Sequence, residues 1–247
     1  MQPLDLTAIA GTLESLEETI IYKLIDRAQF AVNERAYQPG ASGFEGEKER
    51  SLFERRLHSQ ESMDAEFGRF HVPEERPFTK GLPAAKRNVL SPDTGLATID
   101  YEVVNLCPTI LQRYQALIPT VCPEGDDGQY GSSVEHDVYA LQAIARRIHY
   151  GALYVAESKY RDDVAGYCAL IERAATDAMM EKLTRREVED RIIKRIRDKA
   201  VQAQAQVNLA LRRFVDPEVV VRFYRDTLIP LTKEGEIAYL LHRPSDP

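Results

Sequence analysis

The stretch GSSVEHDVYALQAIARRIHYG, residues 131–151, carries Ala140, Ile144, Arg147 and Gly151 at i, i+4, i+7 and i+11, the spacing of one buried helical face. Outward from it, helical periodicity dominates and no clean strand alternation runs beyond a few residues. The pattern predicts helices over residues 5–33 (Leu13, Leu16, Ile20, Leu24 and Ala28 on one stripe), 48–67, 100–117 (ending before Pro119), 133–160 and 176–211, with a helical hairpin ending near residue 175. YQPGASGFEG (37–46) and VCPEGDDGQYGSS (121–133) read as loops. Pro73, Pro77, Pro83 and Pro92 punctuate a connection long enough to be either functional or held by short helices. The last helix starts with Asp216 as N-cap, Pro217 in the first turn and Glu218 near the positive dipole end; Pro230 is expected to kink it. The fold class expected is all-α, a single-domain multi-helix bundle over residues 1–247.

Composition narrows the function classes. Apolar content of 44% and charged content of 29% are those of a globular chain able to bury a full core. A net charge of -7 argues against nucleic acid or an anionic membrane as partner. Cys107, Cys122 and Cys168 are far apart and form no CxxC, so neither a disulfide framework nor a metal site is expected. MQPLDLTAIAG has no basic leader and no segment reaches 18 apolar residues, so a cytoplasmic protein is expected; a mature secreted chain would read the same. P-loop, GxGxxG, HExxH and GxSxG motifs are absent. Glu135, His136 and Asp137 have metal-ligand chemistry but adjacent helical positions point different ways, so a solvated helix start is the simpler reading.

Charges on apolar stripes say more. Arg147 stands on the face described above, and Lys159 follows Val155 and Ala156 in a similar setting. Glu189 aligns with Ile193, Ile196 and Ala200, and Thr232 and Glu236 lie between Leu228 and Tyr239. Buried charge is costly unless paired. These positions therefore mark either partly exposed ion pairs or a polar pocket inside a bundle. The alternating-sign run RREVEDRIIKRIRDK, residues 185–199, is otherwise a solvated face.

The segments LEETIIYKLIDRAQF (16–30), residues 131–151, VAESKY (155–160) and IPLTKEGEIAYLLHR (229–243) resemble, in order, the all-helical eukaryotic-type chorismate mutases. The resemblance implies a homodimer with an active site in each subunit's bundle. It also implies the Claisen rearrangement of chorismate to prephenate, on the route to phenylalanine and tyrosine, with no cofactor. By that resemblance Arg147 clamps a carboxylate and Lys159 donates to the ether oxygen. Glu189 takes the substrate hydroxyl, Thr232 supports a carboxylate, and protonated Glu236 donates to the ether oxygen from the other side.

Three departures follow. Ala10 occupies the position of a carboxylate-gripping arginine on the first helix; losing such a partner costs roughly 2–5 kcal/mol, on the order of 30- to several-thousand-fold in rate. Arg147 and Lys159 are twelve residues apart where the family has eleven, about 100° further round a regular helix; an extra residue absorbed as a π-bulge between Gly151 and Val155 would restore the register. Arg185 replaces the family's asparagine four residues before the hydroxyl-binding glutamate, and is expected to bind substrate in place of the missing cation.

Effector binding of aromatic amino acids is implied near Gly131 and Ser132, which match the family's Gly-Ser pair; Gly68-Arg69 stands for its Arg-Arg pair and Asp216 for its threonine. Ser132 as a helix cap is the simpler reading of that pair. Two other readings stay open on the residues: a same-fold pericyclase acting on another carboxylate, and a non-catalytic regulatory or effector paralogue.

Overall fold

Asp5 accepts a hydrogen bond from the Thr7 amide and starts α1 (Leu6–Arg27). The computed structural model describes residues 4–98, 100–205 and 208–244. α1 ends before residue 33 because the fully buried Arg27 guanidinium donates to the carbonyls of Phe30, Ala31 and Val32, drawing the chain back around itself. Its Nε also reaches Asp137 Oδ1 at 2.6 Å, and Tyr37 and Tyr114 donate to the same carboxylate at 2.5 and 2.8 Å. This knot ties α1 to the long helix.

The second helix, α2 (Leu52–Glu66), begins later than residue 48 because Ser51 and Glu54 form a reciprocal capping box. The proline-punctuated segment then runs irregularly to a 3₁₀ turn at Tyr101–Val104. Helix α3 (Cys107–Val121) has Pro108 in its first turn and keeps Pro119 inside its last, so the expected span of 100–117 is displaced towards the C-terminus.

α4 (Tyr130–Tyr150) crosses the core and starts three residues before the expected position, with Gln129 as N-cap and no side-chain cap. Ser132 is therefore not the cap. Its continuation passes through a π-helical turn at Gly151–Val155 into α5 (Ala156–Asp162), the irregularity that the residue spacing predicted. The hairpin is completed by α6 (Val164–Ile171).

The helix expected over 176–211 is two. α7 (Thr176–Leu183) and α8 (Arg186–Gln202) are broken at Thr184 and Arg185. The break is held from outside: Lys159 Nζ donates to the Leu183 carbonyl at 3.2 Å and Lys233 Nζ to Thr184 Oγ1 at 3.1 Å. The expected helix end also covers residues 206–207, which lie outside the described residues. α9 (Pro217–Phe223) opens with the expected Asp216 cap. A second π turn at Tyr224–Leu228 leads into α10 (Ile229–His242), so the irregularity expected of Pro230 falls just before it. No strand occurs among the described residues, and the fold is all-helical.

Candidate active site

The π turn at Gly151–Val155 and the break at Arg185 face the same space, a cavity of about 430 Å³ lined from α1, α4, α5, α8 and α10. Arg147, from α4, is 3% exposed and donates from Nη1 to Thr232 Oγ1 at 2.8 Å. Thr232 Oγ1 in turn donates to the Leu228 carbonyl at 2.7 Å, which fixes the hydroxyl as an acceptor for the arginine. The buried Nε of Arg147 has no partner. Such a donor is costly unless something occupies it.

The close approach behind this contact depends on glycine. A Cβ on Gly151 would stand 2.6 Å from Thr232 Cγ2, and one on Gly235 2.5 Å from the Ala152 Cβ. Larger residues at either position would separate the π turn from α10.

Lys159, delivered by the π turn, lies 3.0 Å from Glu236 Oε2. Glu236 is 4% exposed, and its burial raises the carboxyl above the ordinary range despite the opposing pull of Lys159. Glu189 is held by Lys233 at 2.9 Å. Arg185, at the α8 N-cap, lines the cavity at its exposed mouth, and its side chain makes no ion pair or hydrogen bond among the described residues. Thus all six side chains singled out for the site, Arg147, Lys159, Arg185, Glu189, Thr232 and Glu236, line one cavity, and Ala10 lines it too.

Sequence reasoning missed the second lysine and the far wall. Lys233 shares the stripe of Ile229, Thr232 and Glu236 and could have been found by that spacing. Glu17 is fully buried, and Arg195 grips it from α8 at 2.7 and 2.8 Å. Glu17 follows Leu13 by one turn, a charge on an apolar stripe like the others. Counting the lining, the six cations Arg147, Lys159, Arg185, Arg191, Arg195 and Lys233 face the four carboxyl groups Glu14, Glu17, Glu189 and Glu236, a surplus of two positive charges with Glu236 ionised and three with it protonated.

The residues of the expected effector site are not brought together within the chain. Arg69 is held by Asp64 at 2.8 Å, Glu75 at 2.9 Å and Gln142 Oε1 at 2.6 Å. Gly131 and Ser132 lie exposed in the first turn of α4, about 16 Å along the helix from Gln142. Of the Glu135–His136–Asp137 run, Glu135 pairs with Arg56, His136 stacks on Phe30, and Asp137 belongs to the Arg27 knot.

Comparison with known proteins shows the family of the chain. The chain is 36% identical over 251 residues to chorismate mutase 2 of Petunia hybrida, covering 97% of this chain and 93% of that one. The chain belongs to the chorismate mutase family. It is 32% identical to the cytosolic chorismate mutase 2 of Zea mays, over 97% and 96% of the two chains. The solved chorismate mutase of Candida albicans, in complex with L-Trp, superposes with a TM-score of 0.89 at 33% identity, covering 97% of this chain and 92% of that one. No family model matches the chain. Among the described residues, no helix is long and apolar enough to cross a membrane.

Proposed function

We propose that the cavity rearranges chorismate to prephenate, an isomerisation on the route to phenylalanine and tyrosine. The observation that carries this reading is the surplus of positive charge around a cavity with the buried, unoccupied Arg147 Nε. Chorismate carries two carboxylates and offsets two of the three surplus charges left when Glu236 is protonated. In the rearrangement the ether C–O bond breaks as a C–C bond forms in one cyclic shift of electrons, and no proton is transferred. The protein therefore acts by holding the reactive conformer and stabilising charge that develops on the ether oxygen.

Arg147 takes one carboxylate, with Thr232 fixing the guanidinium, and Arg185 takes the other at the mouth. Lys159 and protonated Glu236 are within 3.0 Å of each other, so both can donate to a single ether oxygen. Glu189, steadied by Lys233, accepts from the substrate hydroxyl. No metal or organic cofactor has a step to perform.

The chain acts in this reading as one helical domain, in a homodimer joined through the exposed Gly131–Ser132 end of α4. An aromatic amino acid effector bound there would have to draw Arg69 away from Asp64 and Glu75; the Candida albicans relative was solved in complex with L-Trp. The maize relative named cytosolic supports a cytoplasmic location. The decisive test follows chorismate loss by absorbance and identifies the product. Prephenate formed by wild type and lost in Arg147→Gln supports the reading; intact chorismate refutes it. Light scattering at the mass of a monomer would refute the dimer, and unchanged turnover across a tryptophan and tyrosine titration would refute the effector.

A further inference from the structure

Arg191 is a cation of the cavity that the assigned roles leave unused, and its side chain makes no ion pair or hydrogen bond among the described residues. The packing of α1 on α8 explains why. Arg195 meets Glu14 at 2.9 Å and Glu17 at 2.7 Å. One turn further on, Lys199 meets Glu17 at 3.4 Å and Glu18 at 3.1 Å, so the pairs climb both helices in the same direction. One turn back from Arg195 is Arg191, and one turn back from Glu14 is Ala10; both line the cavity. Ala10 offers no carboxylate to neutralise Arg191 and no bulk to keep a guanidinium out. Arg147 faces this side as well: its Nη1 and Leu13 Cδ2 of α1 lie 3.8 and 3.7 Å from where a Cβ on Gly151 would stand.

We propose that Arg191 is a substrate-binding residue that grips a carboxylate from the α1 side of the cavity, together with Arg147. Arg185 stands on another flank, six residues earlier and thus about 120° around α8, beside the Leu183 carbonyl that Lys159 holds. The two mouth arginines divide the opening between them. An exposed guanidinium costs little to leave unpaired in water, and its planar fork matches a carboxylate arriving at the rim. The assignment deepens the proposed rearrangement and rests on it.

The test uses kcat/KM for chorismate in wild type, Arg191→Gln, Arg185→Gln, Ala10→Glu and Ala10→Gln, with thermal melts to confirm folding. Arg191→Gln is expected to lower kcat/KM about 10- to 100-fold. Ala10→Glu should recreate at Arg191 the pairing that Glu14 makes with Arg195, and cost about tenfold more than Ala10→Gln. In the Arg191→Gln background that extra loss should disappear, a non-additivity that a merely structural role would not produce. A wild type that leaves chorismate intact overturns the reaction and this assignment with it. A wild type that turns chorismate over, matched by Arg191→Gln and Ala10→Glu, overturns Arg191 alone.

Discussion

In the proposed reaction Glu236 sets a pH dependence whose sign follows from where its carboxyl sits. Burial is the largest influence and raises its pKa; Lys159 opposes it most, and Arg147 and Lys233 oppose it less. The proposed role requires the proton, so activity is full below the raised pKa and falls as pH rises through it. Above that point each pH unit removes about nine-tenths of the protonated enzyme, a tenfold decline in kcat/KM. Glu236→Gln is the informative perturbation because the amide keeps an N–H donor for the ether oxygen at every pH. The ratio of variant to wild-type kcat/KM should therefore climb about tenfold per pH unit on the alkaline limb.

Stability carries the same sign. A carboxyl raised in the fold contributes stability that is fully present below its unfolded pKa and lost as pH rises through the folded one, about 1.4 kcal/mol for every tenfold gain in proton affinity on folding. The assay is chorismate decay from about pH 4 to about pH 9, with urea midpoints at the same points. A flat wild-type profile would refute the reasoning. So would an unchanged slope in Glu236→Gln, which would assign the titration to another group.

Two further substitutions test the architecture. Gly151→Ala puts a Cβ 2.6 Å from Thr232 Cγ2, so it should cost about 1–3 kcal/mol of stability and lower turnover by displacing the partner of Arg147; wild-type melting and kcat would show that the close approach is dispensable. Arg27→Met leaves the buried Asp137 carboxylate without its cation and should lower the unfolding free energy by about 3–5 kcal/mol, while kcat of the folded protein is retained because the knot does not line the cavity; a loss below about 1 kcal/mol in denaturant titrations would contradict this.

What the sequence made legible was periodic. Arg147, Glu189, Thr232 and Glu236 could be singled out because a charge or hydroxyl on an apolar stripe needs only its own helix to be seen, and the cavity gathers all of them. The break between α7 and α8 was invisible for the opposite reason. Thr184 and Arg185 have nothing local that stops a helix; lysines from residues 159 and 233 take up the groups there. Arg27 hid in the same way. Nothing in its own segment marks it, and only the return of the chain and the arrival of Asp137 turn it into the centre of a buried knot. Arg69 was marked by its position alone, and the ion pairs it makes with Asp64 and Glu75 within the chain have no periodic signal either.

The two π turns explain how a twelve-residue spacing still serves one cavity. Arg147 and Lys159 would diverge by about 100° beyond the eleven-residue spacing on a regular helix. The turn at Gly151–Val155 takes up the extra residue, and because a π turn carries one more residue than an α turn, the two side chains return to a common face. A wider turn protrudes, however, and would push α10 away. Gly151 and Gly235 remove the side chains that would collide. The second π turn, Tyr224–Leu228, then presents the Leu228 carbonyl to Thr232, which in turn holds Arg147. Removing one residue from the first turn should therefore not regularise the site at no cost. It would shrink the protrusion that α10 is shaped to meet, while leaving the glycines with nothing to accommodate. Such a deletion should lower turnover even though it restores the family's eleven-residue spacing. Full activity would show that spacing alone, and not the fitted pair of turns, sets the cavity.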